Sequence, residues 1–219
     1  MRNKTISNGW LALIIVLAII IADQILKIWV KTNFYLGETL PFTSWFELHF
    51  IENPGMAFGI ELGSKLFLTI FRLAASAFLI YILYKIRNNR NYSKGFVVCL
   101  SLITAGAIGN VLDCMFYGLI FSESTPFTMA VLFPDGGGYD TFLHGKVVDM
   151  FHFPLIQGTW PEWVPFVGGG DFEFFRPVFN LADSAISVGV IVFILFYSKY
   201  LSAPKNETSQ EQAEPADKK

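Results

Sequence analysis

Residues 95–120 read GFVVCLSLITAGAIGNVLDCMFYGLI, an apolar run interrupted near its end by Thr104, Gly106, Gly109, Asn110 and Asp113. A bilayer core of about 30 Å is crossed by about 20 residues of helix. Three other runs have that length: Gly9 to Val30, Ser64 to Ile86 and Val178 to Tyr200. Four spans predict an α-helical integral membrane protein, and the composition agrees. Of the 219 residues, 53% are hydrophobic and only 16% charged, with 23 Phe; a soluble domain carries about 25% charged residues. A net charge of −2 argues against a nucleic-acid partner, which takes a clustered basic face.

Cys99 and Cys114 share the quoted run, parted by roughly 22 Å of helix, so they form no disulfide framework. Three His and no paired Cys or His motif give no metal site and imply no cofactor. Arg2 and Lys4 before the first run give it the look of a cleavable signal peptide. Asp23 and Lys27 interrupt that run, and no small-x-small cleavage site follows, so it reads as a span.

Orientation follows from Lys and Arg in the connections. Arg2 and Lys4 precede the first span, Lys85, Arg87, Arg90 and Lys94 flank the second connection, and Lys199, Lys205, Lys218 and Lys219 follow the fourth span. The other connections hold Lys31, Lys146 and Arg176, with Lys65 at a span edge. Both termini are therefore expected in the cytoplasm. Residues 1–203 read as one membrane-embedded domain, and 204–219 as a disordered tail.

The outer segments differ in character. Trp45 to Phe50 alternates as a strand does, and Asn53-Pro54-Gly55 is a turn signal, so residues 35–62 predict a small β-cradle. Residues 121–177 form a long outer connection in which Val147 to Phe151 reads as a short strand. Its aromatic residues Trp160, Trp163, Phe166, Phe172, Phe174 and Phe175 suit the headgroup region. Asp135 to Asp140 reads as a loose, mobile glycine loop whose spacing is not that of an EF-hand calcium site.

Ionisable residues inside a span are expensive and call for a reason. With the N-terminus inside, Asp23 and Lys27, Asn110 and Asp113, and Asn180 and Asp183 all fall in the outer third of their spans, and Asp149 lies in the connection before the last. Each has a bland reading: an i, i+4 ion pair fixing helix packing for Asp23 and Lys27, polar glue for Asn110 and Asp113, a helix cap for Asp183, a solvated carboxylate for Asp149. The convergence of depth and the apolar neighbours of Asp149 favour a site. Two Asp in close approach share one proton, so one takes a proton from water while the other donates to a carbonyl oxygen. No Gly-x-Ser-x-Gly, His-Glu-x-x-His or phosphate-binding glycine loop offers other chemistry. Ion transport through Asp23, Lys27 and Asp183 is the second reading, and a purely structural scaffold the third.

Four blocks resemble the lipoprotein signal peptidases, the type II signal peptidases of bacteria. They are Asp23-Gln24-Ile25-Leu26-Lys27; Asn53-Pro54-Gly55-Met56-Ala57-Phe58-Gly59; Gly106 to Asp113 with Gly145-Lys146-Val147-Val148-Asp149; and Phe179-Asn180-Leu181-Ala182-Asp183-Ser184. They stand in family order across residues 23–184. The resemblance implies Asp149 and Asp183 as the catalytic carboxylates, and Asp23, Lys27, Asn53, Gly55, Ala57, Asn110, Asp113, Asn180 and Ala182 as substrate-binding or supporting residues. It implies a monomer in the bacterial inner membrane whose periplasm-facing site cleaves diacylglyceryl-prolipoproteins among membrane lipids, before the lipidated cysteine. Two departures stand out. Cys114 replaces the Arg that usually follows the Asp of the third block, leaving Arg176 as a nearby outer arginine. About thirty residues also separate Asp113 from Gly145, an insertion that reads as a lid or surface arm.

Overall fold

The first apolar run turns its charges inward and its apolar side chains outward. Trp10, Leu13, Leu17, Ile21 and Ile25 are exposed, while Asp23, Lys27, Val30 and Lys31 are buried. That arrangement suits a helix solvated by lipid. The computed structural model describes residues 6–57, 60–61, 65–89 and 91–198. Within it the run forms α1 (Asn8–Asn33), started by the Ser7 hydroxyl, which accepts from the Trp10 N–H. α2 (Lys65–Ile86) and α3 (Lys94–Ile120) follow, and Ser93 caps α3 by accepting from Phe96 N–H. These three helices are long and apolar enough to cross a membrane.

The fourth helix, α4 (Leu181–Tyr197), is apolar but shorter, with 12 α-helical residues and a 5-residue π-helical turn. It begins at Leu181 rather than at the expected Val178. The reason is Phe179, which stays extended and exchanges backbone hydrogen bonds of 2.7 and 3.1 Å with Phe151. The end of the expected span (199–200) and the tail (204–219) lie outside the described residues.

α3 is the central helix, burying Ser101, Thr104, Gly106 and Gly109 among others, whereas α2 buries only Thr69, Ser76 and Ile86 among its described residues. Glycine lets α4 approach α3 closely. A Cβ on Gly106 would lie 2.2 Å from the Ala182 carbonyl oxygen, and one on Gly109 would lie 3.1 Å from the Ala182 Cβ. The C-terminal part of α3 widens into a π-helical turn over Asp113–Tyr117, a geometry that recurs at functional sites.

The expected cradle is an antiparallel sheet of β1 (Thr39–Pro41), β2 (Glu47–Asn53) and β5 (Val147–His152), with β2 in the middle. Two strands distant in sequence thus complete it: Ile51 stands opposite Asp149 and Glu52 opposite Val148. Leu48 and Phe50 point into a core with Val30, Phe34, Tyr117, Phe121, Val148 and Met150. Gly55 turns the chain after β2 at φ 112° and donates its N–H to Asn53 Oδ1 at 2.8 Å; the two-residue strands β3 (Met56–Ala57) and β4 (Ile60–Glu61) follow. Phe58 and Gly59, the end of that sequence block, lie outside the described residues. A further hairpin, β6 (Ile156–Thr159) with β7 (Asp171–Phe174), exposes Trp163 and Phe166 at its tip.

The insertion is tied down rather than loose. Ala130 N–H donates to the Lys31 carbonyl, Leu36 N–H to the Thr125 carbonyl and Tyr139 N–H to the Phe121 carbonyl. Ser124 is buried, accepting from Lys31 Nζ and donating to Glu52, both at 2.9 Å, while Lys31 also pairs directly with Glu52. The segment is a buttress joining the C-terminal end of α1 to β2.

Candidate active site

Lys27 is fully buried on α1, and an ammonium has three protons to place. All three find acceptors: Asp23 Oδ2 at 2.9 Å, Asp113 Oδ2 at 2.8 Å and Asn110 Oδ1 at 2.9 Å. The i, i+4 spacing supplies the first, and α3 packed against α1 supplies the others. The two carboxylates reach further. Asp23 Oδ1 accepts from the Ala182 N–H at 2.9 Å, and Asp113 Oδ2 from the Val148 N–H at 3.3 Å. Ala182 immediately precedes Asp183, and Val148 immediately precedes Asp149. One buried ion cluster therefore grips the backbone beside both of the other aspartates.

Two asparagines form the next layer. Asn180, fully buried, caps α4: its Oδ1 accepts from the Asp183 N–H at 2.9 Å, and Asp183 Oδ2 accepts from the Asn180 N–H at 3.3 Å. The same side chain turns its Nδ2 to Asp149 Oδ1 at 2.7 Å and to Asn110 Oδ1 at 3.0 Å. Asn110 Nδ2 in turn donates to Asp183 Oδ1 at 2.7 Å. The helix cap and the link between Asp149 and Asp183 are thus one residue.

Asp149 and Asp183 differ in surroundings. Asp149, on β5, is 3% exposed; burial, reinforced by the nearby Asp183 charge, pushes its carboxyl up to about 7. Asp183 is half-buried and accepts from two nitrogen donors, Asn110 Nδ2 and Asn180 N–H. Both aspartates are held by the same side chain, that of Asn180. Thus Asp23, Lys27, Asn110, Asp113, Asp149, Asn180 and Asp183 converge, with Ala182 contributing its backbone. Asn53 and Gly55 lie at the end of β2 and its turn, where Asn53 stands opposite Val147 of β5, and Ala57 follows in β3. A cavity of about 450 Å³, lined by Trp10, Leu13, Leu83, Tyr84 and Arg87 among others, lies at the other end of α1 and α2.

The sequence model of the family described as Signal peptidase (SPase) II matches residues 15–199. The chain belongs to the signal peptidase II family. It is a peptidase by that membership, and relatives named lipoprotein signal peptidase match it over most of its length. The Porphyromonas gingivalis (strain ATCC 33277) protein is 53% identical over 89% of this chain and 86% of its own length. The Amoebophilus asiaticus protein is 37% identical over 83% and 75%, and the Janthinobacterium protein 32% identical over 84% and 85%. Two solved bacterial membrane enzymes share the fold. One covers 91% of this chain and 94% of its own at TM-score 0.57 and 23% identity; the other covers 84% and 90% at TM-score 0.55 and 24% identity.

Within this signal peptidase II chain, several residues of the site carried no signal in the reading of blocks. Gln24 Nε2 donates to Asp113 Oδ1 at 2.9 Å, and the Tyr117 hydroxyl donates to Gln24 Oε1 at 3.2 Å. Arg72 of α2 places Nη1 3.4 Å from Cys114 Sγ. Arg176, the other arginine considered for that place, donates to the carbonyl of Asp171, the first residue of β7. The nearby guanidinium comes from the helix opposite.

Proposed function

We propose that this chain is an aspartic endopeptidase that removes the signal peptide from diacylglyceryl-modified prolipoproteins, cutting before the lipidated cysteine. Asp183 is the base and Asp149 the acid. Asp183 takes a proton from water as the water oxygen attacks the scissile carbonyl, and Asp149 gives its proton to the carbonyl oxygen. The resulting diol collapses as its hydroxyl proton returns to Asp149, the C–N bond breaks and Asp183 protonates the departing amine. No covalent intermediate and no cofactor take part. Both carboxylates end as they began.

The observation that carries this reading is Asn180, which touches Asp149 through its amide and Asp183 through its cap. A relay of the transporting kind suits the ion cluster less well, because Lys27 has committed all three protons to fixed acceptors. The basic connections and the depth of the polar residues support the remaining frame: four spans in one domain over residues 1–203, both termini cytoplasmic, and the site at the outer face of the inner membrane; the resemblance adds a monomer. Substrate acyl chains stay in lipid while the peptide rises to the carboxylates, with the turn at Asn53, Gly55 and Ala57 beside its path.

Purified protein in detergent tests the proposal with a diacylglyceryl lipobox peptide, the same peptide unlipidated, and EDTA present. EDTA-resistant cleavage of the lipidated peptide alone, lost in both Asp149→Asn and Asp183→Asn, is the expected result. Full activity in either variant removes that residue from the mechanism. No cleavage by folded wild-type protein overturns the peptidase reading and favours an ion-coupled carrier.

A further inference from the structure

Arg72 lies inside a membrane-spanning helix, seven residues and about 10 Å of axis from the start of α2 at Lys65. A guanidinium at such a depth is costly unless its protons are placed. The other interior cations on α1 are fully engaged: Lys27 with Asp23 and Asp113, Lys31 with Glu52. Arg72 has no carboxylate within ion-pair distance among the described residues. Its hydrogen-bond partner there is Cys114 Sγ at 3.4 Å, a weak acceptor facing a group with five N–H donors.

The location gives those spare donors a purpose. Cys114 follows Asp113, whose carboxylate holds the Val148 N–H beside Asp149, and the Cys114 carbonyl accepts from Gly145 N–H at 2.9 Å. The guanidinium therefore stands where α2, α3 and the approach to β5 meet. α2 is also the helix turned most toward lipid: Phe67, Phe71 and Phe78 are exposed around the half-buried Arg72. What reaches Arg72 from that side is the lipid part of a substrate rather than its peptide, and the polar atoms that part carries are ester carbonyl oxygens.

We propose that Arg72 is a substrate-binding residue that donates to an ester carbonyl of the precursor's diacylglyceryl group, a reading that rests on the proposed function above. Cys114 leaves room for this, standing where the related sequence pattern has its own arginine. The guanidinium reaches this spot from α2 instead of α3.

The test compares a diacylglyceryl lipobox peptide with its dialkylglyceryl analogue, which keeps the chains and lacks both ester carbonyls. Wild-type KM is expected to rise about 10- to 100-fold on the ether peptide, the range for losing a hydrogen bond to a charged group. Arg72→Leu should raise KM for the diacyl peptide by a similar factor, leave kcat within a few-fold, and no longer distinguish the two peptides. Arg72→Lys, which keeps the charge, should recover part of the discrimination and serves as the test if the Leu variant does not fold. Equal losses on both peptides, or a fall confined to kcat, would assign Arg72 a structural role and overturn the proposal, as would an unchanged KM on the diacyl peptide. A wild-type protein that cleaves neither peptide refutes the peptidase reading instead.

Discussion

Asp149→Asn should inactivate the protein and yet make it more stable at alkaline pH. The carboxyl titrates at about 7 instead of 3.8 because it is buried against the Asp183 charge. Ionising it in the folded state therefore costs about 4 kcal/mol relative to ionising it in water, at about 1.4 kcal/mol per pH unit. The sign follows from proton counting. Between 3.8 and 7 the folded protein binds the proton and the unfolded chain does not, so stability falls with rising pH across that window. Below 3.8 the contribution is fully present; above 7 it is gone. Asparagine keeps the shape, carries no charge and escapes the loss. For a chain of this size the gain at pH 8 corresponds to on the order of 10 °C in Tm as an upper bound, and at pH 4.5 to little. Tryptophan fluorescence through a thermal ramp in detergent measures both, while the lipidated-peptide assay shows a loss of about 10²–10⁴-fold or more. In the wild type, kcat/KM should decline as pH rises through about 7 and the shared proton leaves. A variant less stable than wild type at pH 8, or one whose gain is the same at both pH values, would refute the reasoning.

Lys27→Met strands the buried Asp23 and Asp113 carboxylates and should cost about 3–5 kcal/mol, read as a lower Tm in detergent; unchanged stability would show that the cluster is not a strut. Deleting residues 122–142 removes Ser124, Ala130 and Tyr139 from their contacts with Lys31, Glu52 and Phe121, so it should lower the Tm sharply before it alters any choice among substrates. Ser124→Ala, which drops two hydrogen bonds, should cost about 1–3 kcal/mol on the same measurement.

The helices and the polar cluster were legible because lipid imposes simple rules: apolar length predicts a span, and a charge within a span demands a partner. That logic found Asp23, Lys27, Asn110, Asp113, Asn180 and Asp183. Arg72 obeys the same rule, but its partner, the Cys114 sulfur, carries no charge to mark it, and a lone amide such as Gln24 gives no sign in sequence of the Asp113 carboxylate it holds. The expected start of α4 at Val178 failed because hydropathy does not register the extended pairing of Phe179 with Phe151. The insertion misled for a related reason. Its glycines and prolines advertise a loop, but nothing local announces that Ala130 and Tyr139 pack on the core or that Ser124 completes the Lys31–Glu52 pair. Such long-range closure is written in three dimensions only.

The ion cluster raises a question of design, since buried salt bridges are often matched or bettered in stability by apolar residues of the same volume. An apolar trio at Asp23, Lys27 and Asp113 would pack the helices, but it could not accept hydrogen bonds. The carboxylates of Asp23 and Asp113 take the N–H groups of Ala182 and Val148, the residues just before Asp183 and Asp149. Lys27 fixes the separation of those two carboxylates by bonding both, and its third proton fixes Asn110, which holds Asp183. The spacing between the two aspartates is thereby set from below, through backbone rather than through side-chain packing. A displacement of 1 Å in such a site can cost about 10²-fold in rate. On the proposed mechanism, the expense of burying three charges is therefore understandable as the means of fixing the backbone that carries the two catalytic carboxylates.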